Sequence, residues 1–428
     1  MLDEEQKQQQ FTRRGFVAGA LGAGAAALAI GGATVLSACS TAKEREFEEL
    51  VSKGVEDEDI DALVVGDEQI IETTDFDEAP SEDYLELQAT WEVPLGSILH
   101  QIDSSAALVL FPGEWDETLR KIGLLNLETG VLSTIVSAPI GTSKNTVIYD
   151  ARASRTALIW VELDLGDYRW KTYVAPLDGT VASDAWMVAE GDADYEPSML
   201  AVAGNKLYWT VMPLATGAAN LEDSYLRALQ LNPNGNSGRV EPYTVLTSHG
   251  RMITNPRVTD GIITLVPRVD TANIYYQLTA LTCENDKLVD FKVLPQSLRV
   301  IEALYADGAF SFSIENNYNY AGGLGKFGTY RDLADGNYLR MGRPPLGSVV
   351  HFGNCLLMRS ITSVVGVEPA ARKFFVIDVP SRSADFGESL VGWGVQDKVV
   401  TVSVRLADTD DSMLATVVRV FGRSAPKQ

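Results

Sequence analysis

The three histidines are the first residues to examine for chemistry, because histidine is the commonest metal ligand and general base. His100, His249 and His351 lie far apart in the sequence. None has a second ligand at metal-binding spacing, and none stands beside a nucleophile motif. His100 and His351 follow similar tetrapeptides, Gly96-Ser-Ile-Leu and Gly347-Ser-Val-Val. This echo indicates equivalent positions in a structural repeat rather than chemistry.

One group of carboxylates has the spacing of a metal site. Asp57, Asp59 and Asp61, with Glu68 eleven residues after Asp57, match the ligand positions of an EF-hand calcium loop. Ala62, however, stands where that loop needs a glycine for its sharp turn. We therefore expect a solvated acidic run, with calcium binding as the weaker alternative, and otherwise neither a metal nor a cofactor.

The remaining chemical signals are weak. Carboxylate pairs for glycoside hydrolysis are available throughout an acidic chain, and the sequence singles out none of them. No basic patch points to nucleic acid. Cys283 and Cys355 are predicted to be free, buried thiols that act as small hydrophobic side chains. The sequence favours a protein that is not an enzyme, and it names no catalytic residue.

The first forty residues carry the clearest functional signal. Thr12-Arg13-Arg14-Gly15-Phe16-Val17 is followed by a run of small and apolar residues that ends on Leu36-Ser37-Ala38-Cys39. The segment resembles the export signal of twin-arginine-exported bacterial lipoproteins, with Arg13, Arg14 and Phe16 in the export motif. The resemblance implies cleavage before Cys39, lipidation of that cysteine, and attachment to the outer, extracytoplasmic side of the cell membrane.

Two alternatives to this interpretation remain open. The segment 17–38 is long enough to span a bilayer, so it could be an uncleaved membrane anchor. The protein could also be secreted in soluble form. The Leu-Ser-Ala-Cys ending favours the lipoprotein. Because twin-arginine export moves folded chains, the resemblance also implies that folding does not depend on disulfides.

An acidic stretch follows the signal segment. Residues 43–86 contain eighteen Asp and Glu against three bases, which accounts for −15 of the net charge of −23. Such a composition rarely buries a core. It predicts a flexible acidic linker over residues 39–83, which would act as a spacer, although a short helix over 44–52 is possible.

The rest of the chain has the pattern of a repeated β-structure. Short β-patterned runs begin near residues 107, 157, 206, 262, 309, 356 and 399, about 48 residues apart. Tight polar or glycine turns often precede them, as at Thr259-Asp260-Gly261 and Ala306-Asp307-Gly308. This period, with four strands per unit, resembles WD40-type and Tol-system β-propellers, although the WD40 signatures are missing.

This pattern defines the predicted architecture. We expect an all-β fold over residues 84–422: a seven-bladed β-propeller of four-stranded antiparallel blades, preceded by the signal segment (1–38) and the acidic linker. Residues 85–93 would supply the outer strand of the last unit, and residues 423–428 would be a disordered tail. A pair of β-sandwiches is the rival fold, but it does not explain the period.

Loops rich in aromatic and asparagine residues are the candidate binding surface. Tyr offers large contact area at low entropic cost, and Asn offers both donors and acceptors. The candidates are Trp115, Tyr168, Trp170, Asn316, Asn317, Tyr318 and Tyr320. The sequence thus predicts a monomeric, membrane-anchored lipoprotein whose propeller binds a cell-envelope protein or glycan. The alternative is an extracytoplasmic carbohydrate-active hydrolase or lyase that uses loop carboxylates.

Overall fold

The computed structural model describes most of the chain after residue 41. The described residues are 42–52, 54–113, 118–182, 184–217, 219–232, 240–347, 349–380, 383–385 and 387–425. The chain divides into two compact units, residues 1–50 and 51–428. The predicted signal segment lies outside the described residues, and so do its residues Arg13, Arg14, Phe16 and Cys39.

The described α-helix is Ala42–Ser52. Its sequence is rich in Glu, Lys, Arg and Leu, which have high helix propensity, and Glu44 in the first turn complements the helix dipole. The predicted short helix is therefore confirmed. In the described part of the chain, no helix is long and apolar enough to cross a membrane.

The second unit is built from antiparallel sheets that follow one another along the chain. Six of them are continuous meanders, which we call blades 1 to 6. Blade 1 consists of Ile98–Gln101, Ala106–Pro112, Leu119–Asn126 and Leu132–Val136. Blade 2 consists of Thr146–Ala153, Ala157–Asp164 and Trp170–Asp178, with Val181–Ala182 and Trp186–Gly191 outermost. Blade 3 consists of Leu200–Ala203, Lys206–Pro213, Ser224–Gln230 and Tyr243–Ser248, and Tyr195–Glu196 also pairs with its second strand.

The next three blades follow the same order from the innermost strand outwards. Blade 4 consists of Arg257–Thr259, Ile262–Leu265, Gln277–Thr282 and Leu288–Val293. Blade 5 consists of Glu302–Ala306, Ala309–Ile314, Gly328–Asp332 and Tyr338–Met341. Blade 6 consists of Val350–Phe352, Cys355–Ser360, Ser363–Glu368 and Lys373–Ile377.

A composite sheet, which we call the closing sheet, completes the ring. It combines Ser389–Leu390, Val399–Leu406 and Met413–Arg423 with Leu85–Val93 from the other end of the unit. Leu85–Val93 pairs antiparallel with Met413–Arg423 and so covers the last edge of the meander. The second strands begin at residues 106, 157, 206, 262, 309, 355 and 399. The period along the chain is thus the spacing of these strands.

The predicted seven-bladed propeller is wrong, because the structure is a six-bladed propeller. Six blades are continuous meanders, and the closing sheet has an innermost strand of only two residues. Blades 5 and 6 each carry an additional parallel strand on the outer edge. Blade 6 also carries Gly394–Val395 in parallel on its inner edge. The repeat pattern missed these additions because it reports strand spacing along the chain, not which distant segment pairs with an edge.

Apolar clusters between neighbouring sheets hold the ring together. Each cluster combines side chains from two adjacent sheets: blades 1 and 2, blades 2 and 3, blades 4 and 5, blades 5 and 6, blade 6 and the closing sheet, and the closing sheet and blade 1. Between blades 3 and 4, the Lys206 ammonium donates hydrogen bonds to both carboxylate oxygens of Asp286, at 2.8 and 2.7 Å. This is the arrangement of a β-propeller. Cys283 and Cys355 are free and buried, as predicted.

The predicted flexible linker is wrong for residues 54–83, which we call the belt. The belt runs along the outer edges of blades 4, 5 and 6 in turn. Ala62 bridges to Val293, Ile70–Glu72 pairs in parallel with Tyr338–Met341, and Asp77–Glu78 pairs in parallel with Lys373–Ile377. The belt ends where the closing sheet begins.

The belt is held by a few apolar residues and by cations of the blades. Val65 and Phe76 are buried, and the Arg372 guanidinium lies 4.8 Å from the centre of the Phe76 ring. The Arg340 side chain forms a bidentate ion pair with Glu72, at 2.6 and 2.8 Å. The average composition of the belt hid these contacts, because each depends on one residue meeting one partner.

The predicted disordered tail also needs a correction at its start. Arg423 is the last residue of a strand, and the Ser424 hydroxyl donates a hydrogen bond to the Glu82 carbonyl oxygen at 2.7 Å. Residues 426–428 lie outside the described residues.

Candidate functional site

A large concavity, which we call the axial cavity, lies where turns of several sheets around the propeller axis meet. It has a volume of about 1010 Å³ and opens on the face where the first strand of each blade turns into the second. Turns of blades 1, 2, 3 and 4 and of the closing sheet line it together. Such a concave site, to which several elements contribute, is the default place for a ligand in a propeller.

Tight turns with positive φ bring the rim side chains to the mouth of this axial cavity. Asp260 and Gly261 have φ angles of 48° and 72°, and Asp307 and Gly308 have 50° and 74°. Two-residue hairpin turns of the Asp-Gly type require such angles, which Asp tolerates and Gly adopts without strain. The turn chemistry therefore places a carboxylate at the end of each of these hairpins.

Part of the lining of the axial cavity is aliphatic, and we call this part the floor. Equivalent positions on five sheets contribute small or branched side chains; the first four are partly exposed and the last is exposed: Ile102, Ala153, Val202, Val258 and Val395. No aromatic side chain is among the described residues that line the cavity. The floor can therefore bury an apolar group, but it offers no ring face on which a sugar could stack.

Two cations near the rim already have partners. The Arg155 guanidinium donates to both carboxylate oxygens of Asp103, at 2.6 and 2.7 Å. Burial of Asp103 opposes its ionisation, but the hydrogen bonds from Arg155 and the Ser105 amide outweigh burial and lower the pKa of Asp103. Lys206 is similarly bound to Asp286, with its side chain almost fully buried.

Three further carboxylates of the lining have no such partner. Asp260, Glu284 and Asp397 form no ion pair with any residue that the structure describes. Burial, followed by repulsion from Asp307 and Asp397, raises the pKa of Asp260. The shift shows that these turns bring their carboxylates close to one another. The rim is therefore acidic. Its cations are paired with carboxylates, whereas Asp260, Glu284 and Asp397 have no ion pair with a described residue.

Below the cavity, one tryptophan occupies the axis. The chain leaves the closing sheet after Leu390 and joins the inner edge of blade 6 at Gly394–Val395. Between these points the Trp393 indole donates a hydrogen bond from Nε1 to the Val258 carbonyl oxygen of blade 4, at 3.1 Å. The Val395 amide donates to Thr259 Oγ1 at 3.0 Å. This crossing segment, residues 391–396, thus joins the closing sheet and blade 6 to blade 4, and its Val395 and Gln396 line the cavity.

Charged side chains of the innermost strands surround Trp393. The guanidinium groups of Arg257 and Arg152 lie 4.6 and 5.6 Å from its ring, and the His100 ring lies 6.2 Å away. Arg257 forms a bidentate ion pair with Glu302, at 2.7 and 3.1 Å. The two cation–π contacts and the ion pair fix the indole between the blades.

His100 is held neutral in this surrounding. Burial, followed by the nearby Arg152 charge, lowers its pKa to about 4. His100 Nε2 lies 3.5 Å from Asp150 Oδ1, and Arg152 donates to the same oxygen. Burial of Asp150 opposes ionisation, but Arg152 and His100 outweigh it and lower the pKa of Asp150. The cluster thus joins the innermost strands of blades 1 and 2 through buried polar contacts.

His351 also lies on an innermost strand, that of blade 6, but the predicted equivalence with His100 is wrong, because His351 faces Asp307 of blade 5 whereas His100 faces Asp150 of the following blade. It is buried, and its Nδ1 lies 2.9 Å from Asp307 Oδ2 on the next turn. Burial, followed by the Arg331 charge, lowers the pKa of His351. His351 thus links blade 6 to the carboxylate turns at the cavity mouth.

The described members of the predicted aromatic and asparagine candidates lie on the opposite face from the axial cavity. They belong to loops between second and third strands, which leave the blades at the other end. Trp115 lies outside the described residues. Tyr168 is 62 % exposed, but Trp170 is 1 % exposed and packs between blades 2 and 3. The structure thus removes Trp170 from any binding surface.

The asparagine-rich loop is largely an internal support. The Asn317 side-chain oxygen accepts a hydrogen bond from the Phe327 amide at 3.0 Å, which closes the loop on itself. The Gly323 amide donates to the Val65 carbonyl oxygen of the belt at 2.8 Å. Asn316 is exposed and Tyr320 is 60 % exposed, while the Tyr318 ring packs edge-on to Tyr320 at 5.9 Å. Gly322 and Gly323 have no side chain and thus leave room for the belt backbone.

The EF-hand-like carboxylates do not converge on one point. Asp57 accepts hydrogen bonds from the side chains of Thr271 and Asn273 in blade 4, and these lower its pKa. Among the described residues, no group of three or more His, Cys, Asp or Glu side chains is arranged to hold a metal ion. Asp57 instead attaches the start of the belt to the propeller.

The axial cavity was not predicted, although its sequence signal was present. The sequence predicts tight turns before several second strands, and one of these, Thr259-Asp260-Gly261, lines the cavity. Their convergence follows from closure of the ring, which no local pattern reports. Trp393 had no signal of its own.

Comparisons with known proteins assign the chain to no family. No protein-family model matches it, and no curated protein matches it. Solved structures that are similar include one from a study of two prolyl endopeptidases, at 14% identity and a TM-score of 0.45, over 79% of this chain and 47% of that one. Another is the β-propeller domain of the Trilobed protease from Pyrococcus furiosus, described as having an open velcro topology. It is 11% identical with a TM-score of 0.47, over 77% of this chain and 98% of that one.

A third similar structure is a puromycin-hydrolyzing peptidase of Mycobacterium tuberculosis, at 14% identity and a TM-score of 0.45, over 82% of this chain and 57% of that one. The chain thus spans about half the length of the two larger proteins. At this similarity the neighbours carry no argument about activity. The propeller fold rests on the sheets described above.

Proposed function

We propose that this protein is a membrane-anchored, extracytoplasmic lipoprotein that binds a cell-envelope protein or glycan in the axial cavity of its propeller. The observation that carries the binding role is the cavity itself. It has a volume of about 1010 Å³, and turns of blades 1 to 4 line it together with residues of the crossing segment. A rigid, preformed concave site binds a partner without the cost of ordering loops.

The anchoring half of the proposal rests on the sequence. The twin-arginine pattern and the Leu-Ser-Ala-Cys ending support export and lipidation at Cys39. Metabolic labelling of growing cells with an alkyne-tagged fatty acid tests this half. The wild-type protein is expected to carry the label, and Cys39→Ala is expected to lose it. Label that persists in Cys39→Ala would contradict lipidation at this residue.

The binding half is tested by filling the cavity. Ala203 lies on the cavity lining and is partly exposed, so Ala203→Trp places an indole where a ligand would sit. Purified full-length protein is applied to a glycan array and to an array of overlapping peptides from envelope proteins. The signals are expected to disappear with Ala203→Trp.

A matched control makes the result specific. Val181→Trp adds the same group at the outer edge of blade 2, where Val181 is 61% exposed. This variant is expected to keep the wild-type signals. Signals that survive Ala203→Trp would place binding elsewhere, and arrays without signal would contradict the binding role.

One observation favours a second function, a carbohydrate-active hydrolase or lyase. The cavity contains Asp260 with a raised pKa and Asp103 with a lowered pKa, and a general acid and its charged partner need such a contrast. However, Arg155 and Ser105 already occupy the Asp103 carboxylate. Assays with chromogenic glycosides test this function. Turnover that Asp260→Asn abolishes would support the enzyme over the binding module.

A further inference from the structure

We infer that the occupant of the axial cavity is a basic peptide segment that inserts an aliphatic side chain. This inference rests on the proposed function, because it names the class of partner for the same site. Two independent features of the lining support it: the aliphatic floor and the charge balance of the rim.

The floor selects an apolar group. Four aliphatic residues line the cavity just before the second strands of four different sheets; three are partly exposed and the last is exposed: Ile102, Val202, Val258 and Val395. Isolated exposed aliphatic residues are common, but here the ring closure gathers them at the bottom of one concavity. An inserted Leu, Ile or Val side chain would remove its own apolar surface and that of the floor from water.

The rim selects positive charge. Arg155 and Lys206 are bound to Asp103 and Asp286, so they do not compete for a ligand. Asp260, Glu284 and Asp397 remain without an ion pair to any described residue. Burial and then repulsion from Asp307 and Asp397 raise the pKa of Asp260; a cation that entered the rim would relieve this repulsion, whereas an anion would add to it.

The same lining disfavours a glycan as the occupant. Sugar recognition commonly uses aromatic faces, and the described lining contains none. The aromatic loops that could stack on sugars lie on the opposite face of the propeller. A neutral sugar ring would therefore leave the aliphatic floor without an apolar contact. A peptide can supply both an aliphatic side chain for the floor and flanking lysines for the rim.

Fluorescence polarisation with three short labelled peptides tests this inference. The probe is a capped Gly-Lys-Leu-Lys-Gly peptide, compared with Gly-Glu-Leu-Glu-Gly and Gly-Lys-Gly-Lys-Gly on the full-length protein. The Lys-Leu-Lys peptide is expected to bind most tightly. Replacing its Leu by Gly is expected to weaken binding roughly tenfold or more, since one buried aliphatic side chain is removed.

Rim variants test the role of charge. The double variant Asp260→Asn with Asp397→Asn is expected to weaken the Lys-Leu-Lys peptide roughly three- to tenfold at low salt, and added salt is expected to reduce this difference. Glu190→Gln with Glu315→Gln removes the same charge at exposed positions away from the cavity and is expected to change nothing. Thermal unfolding of both double variants confirms that they fold.

The outcomes separate this inference from the proposed function. Equal or tighter binding of the Glu-Leu-Glu peptide, or no effect of the Asp260 and Asp397 substitutions, overturns the inference. If no peptide binds while another array ligand is lost with Ala203→Trp, the inference fails and the binding role stands. If ligands bind but are insensitive to Ala203→Trp, the binding site itself is wrong.

Discussion

The indole of Trp393 and the backbone of Val258 join two distant parts of the ring across its axis. The Trp393 Nε1 donates to the Val258 carbonyl oxygen at 3.1 Å, although 135 residues separate them along the chain. Val258 also lines the floor of the axial cavity. The bond therefore ties the crossing segment to blade 4 at a residue that lines the cavity.

Substitution of Trp393 should destabilise the propeller in two steps. Trp393→Phe keeps an aromatic ring between Arg152 and Arg257 but leaves the Val258 oxygen without its donor, which costs about 1 kcal/mol. Trp393→Ala also removes the ring and costs about 3 kcal/mol. Urea unfolding measures both free energies. Equal losses in the two variants would mean that the ring packing contributes nothing.

Acid should weaken the fold through the axial histidine. The pKa of His100 is about 4 in the folded protein and 6.5 in its ordinary state, so the unfolded chain binds more protons between these values. Stability is therefore full above about pH 6.5 and falls by about 3 kcal/mol as the pH drops towards 4. The lowered pKa of Asp150 acts in the same direction at lower pH.

Urea unfolding as a function of pH checks this sign. His100→Gln is expected to flatten the slope between pH 4 and 6.5. His249→Gln, at a partly exposed histidine outside the axial cluster, is expected to keep it. A wild-type protein whose stability does not change over this range would show that His100 titrates normally.

A buried ion pair should hold the closing sheet together. Glu388 is 0% exposed and accepts a hydrogen bond from Arg419 Nε at 2.8 Å, while the Thr401 hydroxyl donates to the same carboxylate. Glu388→Gln leaves the Arg419 charge without its partner, at a cost of about 3 kcal/mol.

The same sheet offers a matched surface pair as a control. Arg405 and Glu92 form a bidentate ion pair at 2.7 and 3.1 Å, but both side chains are exposed. Water and salt screen such a pair, so Glu92→Gln is expected to leave the unfolding midpoint unchanged. A larger loss for Glu92→Gln than for Glu388→Gln would reverse the expected order.

Close backbone packing should make one loop glycine essential for the belt. A Cβ atom on Gly323 would lie 2.7 Å from the Gly66 carbonyl oxygen, closer than such atoms approach. Gly323→Ala is therefore expected to loosen residues 54–83 and to increase their cleavage in limited proteolysis, while the blades stay intact. Gly179→Asn, at a turn with open space and a φ of 61°, serves as the control. Unchanged cleavage in Gly323→Ala would contradict this contact.

Much of the fold could be predicted from local pattern. The start of each second strand, the helix at Ala42–Ser52 and the pairing of Leu85–Val93 with the last strand all agree with the sequence. Hydrophobic alternation and turn residues report such features directly. The belt was missed because its acidic average outweighed a few apolar anchors, such as Val65 and Phe76.

The candidate site was harder to predict. Trp170 and the asparagine-rich loop looked like recognition residues by type, yet Trp170 fills the core and Gly323 supports the belt. Residue type does not reveal which face of a blade a loop occupies, or whether another segment covers it. The cavity depends on turns spread from Ile102 to Asp397 along the chain, so no short window of sequence contains it.

The sequence by itself determined the strands, their period and the turns that separate them, because these depend on neighbouring residues. It also determined where export and lipidation are predicted, at Arg13, Arg14 and Cys39. Only the tertiary structure decided that Trp393 occupies the axis and that Asp260 and Asp397 share one rim. Those relationships arise from closure of the ring, which brings residues together according to their position around the axis and not according to their distance along the chain.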